Sequence, residues 1–145
     1  RELISEKEQI IREQETIMKS LLRRDSNSQS LADRKLIDTN IYKRFEQLST
    51  KGQQPTQEEW EHIEQQIFLC FPGFKEFISK NEYLLNNKEY KTCLLIRIGI
   101  KPTNIGSMLG VASSYITELR TKLLQKLFGM SGSSKSFDKL LKAIY

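Results

Sequence analysis

Glycines at 99 and 110 and a proline at 102 divide the stretch between Asn86 and Phe128 into three helical pieces, and this punctuation constrains the fold more than any other feature. Asn86 can cap a helix whose third residue is Glu89, a capping box with Asn in the Ser/Thr role. That helix runs from Lys88 to Ile98 and stops at Gly99. Pro102 suits the first position of the next helix, where its missing N–H costs nothing. This second helix is short, Pro102 to Leu109, and Gly110 ends it. Val111-Ala112 make a turn, and a longer helix follows from Ser113 or Ser114 to Leu127, with Ile116, Leu119, Leu123 and Leu127 on one face. A short helix, a tight turn with Gly and a longer helix make a helix-turn-helix.

The apolar residues Ile105, Met108, Leu109, Val111, Ile116 and Leu119 pack the two helices of that unit together. Gly106 lies where they cross closely. A mid-helix Gly costs about 1 kcal/mol relative to Ala, so close packing is its reason. The opposite face of the second helix offers Ser113, Ser114, Tyr115, Thr117, Glu118, Thr121 and Lys122: hydroxyls, one acid and one cation, suited to base edges and phosphates. Thr103 and Asn104 at the start of the preceding helix, with Arg120 and Lys126, complete the expected DNA-contacting set. Arg120 is either structural or reaches a phosphate. Charge supports this placement. From Asn87 to Tyr145 ten Lys/Arg face three acids, a net +7, whereas residues 1–86 carry −2. A basic third beside a near-neutral remainder is the footprint of a polyanion-binding module, and a solvated basic surface is the plain alternative.

The rest of the chain also reads as helix. Apolar pairs at Leu3/Ile4, Ile10/Ile11 and Ile17/Met18 recur every seven residues, a spacing that suits a two-stranded coiled coil. With Leu3, Ile10 and Ile17 at d positions, two of the three matching a positions, Lys7 and Gln14, are polar, so such a coil is weak alone. Asp25 to Ser30 reads as a break. A helix follows from about Leu31 to Leu48, with Leu36/Ile37, Ile41, Phe45 and Leu48 on its apolar face, and ends at Lys51-Gly52-Gln53-Gln54-Pro55. Thr56 and Glu59 form a capping box ahead of a helix carrying Trp60, Ile63, Ile67, Phe68 and Phe71. Pro72-Gly73 breaks it, and a short segment from Phe74 to Ile78 turns Phe74, Phe77 and Ile78 inward. After the Met130–Ser134 turn, Phe137, Leu140, Leu141 and Ile144 mark a last helix that either closes the core or joins a dimer contact. No alternating strand pattern with hairpin turns appears. The expected class is therefore all-α: residues 1–30 a helical linker, 31–84 a connector, 85–145 the helix-turn-helix domain.

Several function classes lose support. The longest apolar run, Ile67 to Phe71, is far short of the roughly 20 residues of a membrane span. The charged start, Arg1-Glu2-Leu3-Ile4, shows no signal peptide, and a chain beginning with Arg fits a piece of a longer protein. Cys70 and Cys93 sit inside apolar helical patterns and read as reduced core thiols, with a disulfide as the alternative. Two cysteines without a CxxC and a single histidine, His62, give no metal-ligand spacing. His62 reads as a surface residue. No Gly-rich phosphate loop or nucleophile elbow is present, so neither a cofactor nor an enzymatic role is expected.

Residues 85–129 resemble the LuxR/FixJ-type helix-turn-helix. The resemblance is carried by Ile96-Arg97-Ile98-Gly99-Ile100, then Ile105-Gly106-Ser107-Met108-Leu109-Gly110-Val111, then Ile116, Arg120 and Lys126-Leu127. A wider set, Ile41-Tyr42-Lys43-Arg44-Phe45, Glu59-Trp60, Phe71-Pro72-Gly73-Phe74, Leu127-Phe128-Gly129 and Phe137-Asp138, resembles the C-terminal part of helical sensor-regulators. In those, a repeat or sensor region and often a membrane span precede a helical linker and the DNA-binding unit. The chain departs from the family at two places: Ala112 stands where Ser usually caps the recognition helix, and Gly106 stands where Ala is usual. Ser113 is then expected to take over the capping. The resemblance implies a cytoplasmic, dimeric transcription regulator that binds double-stranded DNA in the major groove, its copies paired through the N-terminal helix, the C-terminal helix or both. The competing reading is a protein-interaction module that never touches DNA.

Overall fold

The computed structural model describes residues 26–145, and among them every regular element is helical. Eight α-helices follow in order: α1 (Ser26–Ile37), α2 (Asn40–Lys51), α3 (Gln57–Cys70), α4 (Pro72–Asn81), α5 (Asn87–Arg97), α6 (Pro102–Leu109), α7 (Ser113–Phe128) and α8 (Ser134–Lys142), with a single 3-10 turn, Glu82–Leu84, between α4 and α5. The all-α expectation holds. The seven-residue pattern between Leu3 and Met18 lies outside the described residues.

Local chemistry accounts for most boundaries. Both capping boxes form. Thr56 Oγ1 accepts from Glu59 N (3.2 Å) while Glu59 Oε1 accepts from Thr56 N (2.9 Å), and Asn86 and Glu89 repeat the exchange at 2.8 and 2.9 Å. Gly52, Gly110 and Gly129 close α2, α6 and α7 in the left-handed conformation. Three expectations are corrected. The single helix from Leu31 to Leu48 is two, because Thr39 leaves the helical conformation, accepts from Tyr42 N and starts α2, while its hydroxyl donates to Leu36 O. Ile37, placed on the apolar face, is thereby left exposed. The break expected at Asp25–Ser30 gives way to helix from Ser26. Pro72 does not only end α3; it occupies the first turn of α4, which continues past Ile78 to Asn81.

Glu59 carries a testable consequence of the first box. The backbone bond from Thr56 and then the Arg44 guanidinium hold its carboxyl below the ordinary value of 4.5. A carboxyl lowered in the folded state stabilises the fold above that ordinary value, and the contribution fades as pH falls through the lowered one. Acid titration of Glu59→Gln should therefore show a smaller loss of thermal stability below pH ~5 than the unmodified chain. Equal losses would show that the box adds nothing through ionisation.

One apolar core runs from Leu36 to Ile144 and draws on all eight helices. Phe45 meets Trp60 edge-on at 5.3 Å. Phe77 of α4 stacks on Phe128 at the end of α7, also at 5.3 Å, and Phe137 of α8 packs against Phe128. Residues 31–84 and 85–145, expected as separate units, thus share a single interior. Phe137, Leu140, Leu141 and Ile144 are all buried, so α8 closes the core. Of the two cysteines, both free, Cys93 is fully buried but Cys70 only partly.

The C-terminus is tied down by a buried cation. Arg97, 4% exposed, lays its guanidinium over the rings of Phe71 (3.7 Å) and Tyr145 (4.4 Å), and its Nε donates to Ile144 O at 2.8 Å. Tyr145 donates its hydroxyl to Asp33 of α1 at 2.7 Å and accepts from Gly73 N at 2.9 Å. A Cβ at residue 73 would stand 2.8 Å from that carbonyl oxygen, so only glycine fits. This cluster joins α1 and α5 to the residues that follow α8.

Candidate nucleic-acid interface

The turn between α6 and α7 fixes how α7 is presented. Gly110, at φ +72°, caps α6, and Val111 N donates back to Gly106 O at 2.8 Å. This folds the turn onto Gly106 itself, where a Cβ would stand 2.7 Å from Val111 O and 3.3 Å from Ser113 N. The reason for glycine at 106 is therefore the turn's backbone rather than the crossing of two helices. Ile105, Met108, Ile116, Leu119, Leu123 and Leu124 are buried and lock α7 against α6 and the core. Leu124 belongs to that face, whereas Leu127, expected there, is only partly covered.

Ala112 is the N-cap of α7 and has no side chain to cap with; Ser113 is the first residue inside the helix. The expected transfer of capping to Ser113 does not occur. The first-turn N–H groups consequently lack a side-chain partner and leave the positive end of a sixteen-residue helix open. Ser113, Ser114, Tyr115, Thr117, Glu118, Thr121 and Lys122 are all exposed along one side of α7. Two hydroxyls are partly used: Thr117 donates to Ser113 O (3.3 Å) and Thr121 to Thr117 O (3.1 Å). Each spends its proton on the helix and keeps oxygen lone pairs outward, whereas the Ser113, Ser114 and Tyr115 hydroxyls and the Lys122 ammonium can donate, so the face offers both donors and acceptors.

Other members of the expected set are occupied elsewhere. Arg120 is 6% exposed and makes a two-pronged ion pair with Asp138 of α8, Nε donating at 2.9 Å. Of the two roles open to it, this geometry favours the structural one, with the guanidinium turned to Asp138 rather than outward. Lys126 places Nζ 3.1 Å from both carboxylate oxygens of Glu89, tying α7 to the first turn of α5. Asn104 is half-buried, and its amide donates to Ser49 Oγ at 3.0 Å, joining α6 to α2. Thr103 is exposed at the start of α6.

The net +7 of the C-terminal part is thus partly spoken for: Arg97 and Arg120 are buried, and Lys126, though exposed, is paired with Glu89. One residue outside the expected set joins the face: Lys88, in the first turn of α5, whose Nζ lies 5.8 Å from the centre of the Tyr115 ring. Lys88 and Tyr115 are far apart in sequence, and only the packing of α5 against α7 brings them together. Between these helices lies a hollow of about 100 Å³ lined by Asn86, Glu89, Tyr115, Glu118, Leu119 and Lys122. That is well below the volume a small-molecule site takes, roughly 300 Å³ or more. Among the described residues no group of three His, Cys, Asp or Glu could hold a metal ion, and no helix is long and apolar enough to cross a membrane. In comparisons with known proteins, no family model, no curated protein and no solved structure matches the chain.

Proposed function

We propose that α5, α6 and α7 form a DNA-binding helix-turn-helix of the LuxR/FixJ type, with α7 entering the major groove, and that the protein is a transcription regulator of the cytoplasm rather than an enzyme. The observation that carries this reading is the presentation of α7. The helix is anchored by buried residues on one side, while Ser113, Ser114, Tyr115, Thr117, Glu118, Thr121 and Lys122 face outward unclaimed by the core. Its uncapped first turn is suited to a phosphate, and Lys88, Lys122 and Thr103 flank the same unit. A face of mixed donors and acceptors suits base edges in the major groove, and Glu118, an acceptor only, suits a cytosine amino group. In paired copies, two α7 helices separated by about one DNA turn or a multiple of it read a two-fold site.

A second reading, a protein-interaction module, is favoured by the internal use of Arg97, Arg120 and Lys126, which leaves the face less basic than the sequence implies. One titration separates the two. Fluorescence polarisation with random duplex DNA over a salt series should show binding that weakens steeply with salt. Lys122→Ala should lower the slope of log K against log salt by about 0.9, the release expected for one phosphate contact. Lys126→Ala should leave the slope unchanged, because Glu89 already neutralises that cation. Absence of binding even at ~50 mM salt, where phosphate contacts are strong, would sink the DNA reading in favour of the module.

A further inference from the structure

The loop between α2 and α3, residues 52–56, is fastened at both ends. Gly52 closes α2 with φ +66°, and Gln53 N donates back to Leu48 O at 3.0 Å. At the far end the Thr56–Glu59 capping box starts α3. The stretch between is held against α6. The Asn104 amide of α6 donates to Ser49 Oγ of α2, just ahead of the loop. A Cβ at Gly52 would stand 3.6 Å from Ser107 Cβ, and one at Gly110 would stand 2.9 Å from Gln54 Nε2. The loop therefore runs along α6 from Ser107 to the turn that precedes α7. Lys51, Gln53 and Gln54 are all exposed.

The side of α6 that it follows leads to the outward face of α7. Thr103, Ser107 and Gly110 recur at i, i+4 and i+7, share one face of α6 and are exposed. Beyond Gly110 the exposed Ala112 and Ser113 begin the outward side of α7. In a docked helix-turn-helix the first helix crosses the phosphate backbone while the second lies in the major groove. An element that lies along the exposed face of α6 meets the same backbone. Its composition suits that place. Residues 47–57 contain no acid, and neither do residues 90–117, so two acid-free stretches meet here and bring no carboxylate of their own against a phosphate. Lys51 supplies a positive charge, and Gln53 and Gln54 supply amide N–H donors. Such groups hold phosphate oxygens and fix a protein on the duplex without reading its bases.

We infer that Lys51, Gln53 and Gln54 form a second phosphate-binding surface outside the helix-turn-helix, gripping the DNA strand beside the groove that α7 enters. The inference rests on the DNA-binding reading of α5, α6 and α7 and adds to it a contact made by the α2–α3 loop. The test is fluorescence polarisation of the full chain with random duplex DNA over a salt series. It compares the unmodified chain with Lys51→Ala, Gln53→Ala/Gln54→Ala, Lys122→Ala and Lys75→Ala, a control that removes an exposed lysine from α4. Lys51→Ala should lower the slope of log K against log salt by about 0.9, the release from one phosphate. The double glutamine substitution should weaken binding about fivefold or more at fixed salt and leave the slope unchanged, because neutral donors displace no counterion. Lys75→Ala should change neither quantity. Thermal melts should stay within a few degrees, since every substituted side chain is exposed. If Lys122→Ala is impaired while both loop variants bind as the unmodified chain does, α7 docks without the loop and this inference alone fails. Tighter binding by the loop variants would also overturn it, because the loop would then stand in the way of DNA. So would an equal loss of slope in Lys75→Ala, which would reduce the effect of Lys51 to overall charge. An unmodified chain that binds no DNA would remove the helix-turn-helix reading and this inference with it.

Discussion

Arg120→Ala is expected to cost about 3–5 kcal/mol of stability, the loss seen when one partner of a buried ion pair is removed and the other charge stays behind. The pair approaches that case because both groups are largely covered: the Arg120 side chain is 7% exposed and that of Asp138 15%. Two parallel contacts hold the guanidinium against the carboxylate and fasten α8 to α7. Truncating the arginine removes both and also opens a void beneath α8. The charge itself is not what stabilises the fold, so Arg120→Met combined with Asp138→Leu should recover most of the loss. Urea denaturation of the two variants measures both effects. The salt dependence of DNA binding supplies the opposing outcome. If Arg120→Ala keeps its stability but loses about 0.9 in log–log salt slope, the residue is a phosphate contact after all.

That residue marks the limit of what was legible in the chain. Elements decided within a few residues were readable: both capping boxes, the left-handed Gly110, Pro102 at the start of α6, and the buried stripe of α8. The caps and the turn are settled by chemistry inside one helical turn, and the stripe of α8 by its spacing over two. The break at Asp38-Thr39 was not, because it contains neither Gly nor Pro, and the apolar positions on either side, Leu36/Ile37 and Ile41, keep helical spacing across it. Which basic residues stay free was also hidden. Arg120 finds its acid on α8, Lys126 on α5, and Arg97 sits between Phe71 and Tyr145. All of these partners are brought in by tertiary packing, which periodicity cannot reveal. The outward face of α7 was readable because a helix buried on one side must show the other. Lys88 was missed for the converse reason: nothing local connects it to Tyr115.

Gly106→Ala should likewise destabilise the protein, by about 1–3 kcal/mol, although helix propensity alone favours Ala by about 1 kcal/mol at an interior position. The sign is set by what the methyl group meets. It would stand 2.7 Å from Val111 O and 3.3 Å from Ser113 N, both main-chain atoms of the turn that aims α7. Neither can swing aside as a flexible side chain would, so the turn and the start of α7 must move. If α7 docks in the groove as proposed, DNA affinity should then fall further than stability does, because such contacts depend on the position of residues 113–118. Gly99→Ala separates the two effects. Gly99 has φ +88° with nothing within 4 Å of the added carbon, so its cost is backbone strain of about 1–2 kcal/mol at a site that does not aim α7. Thermal melts and DNA titrations of the two variants, run below both melting temperatures, should show comparable destabilisation but impaired binding only for Gly106→Ala. Equal binding by both would mean that α7 docks by its charge alone and that the geometry of the turn has no part in recognition.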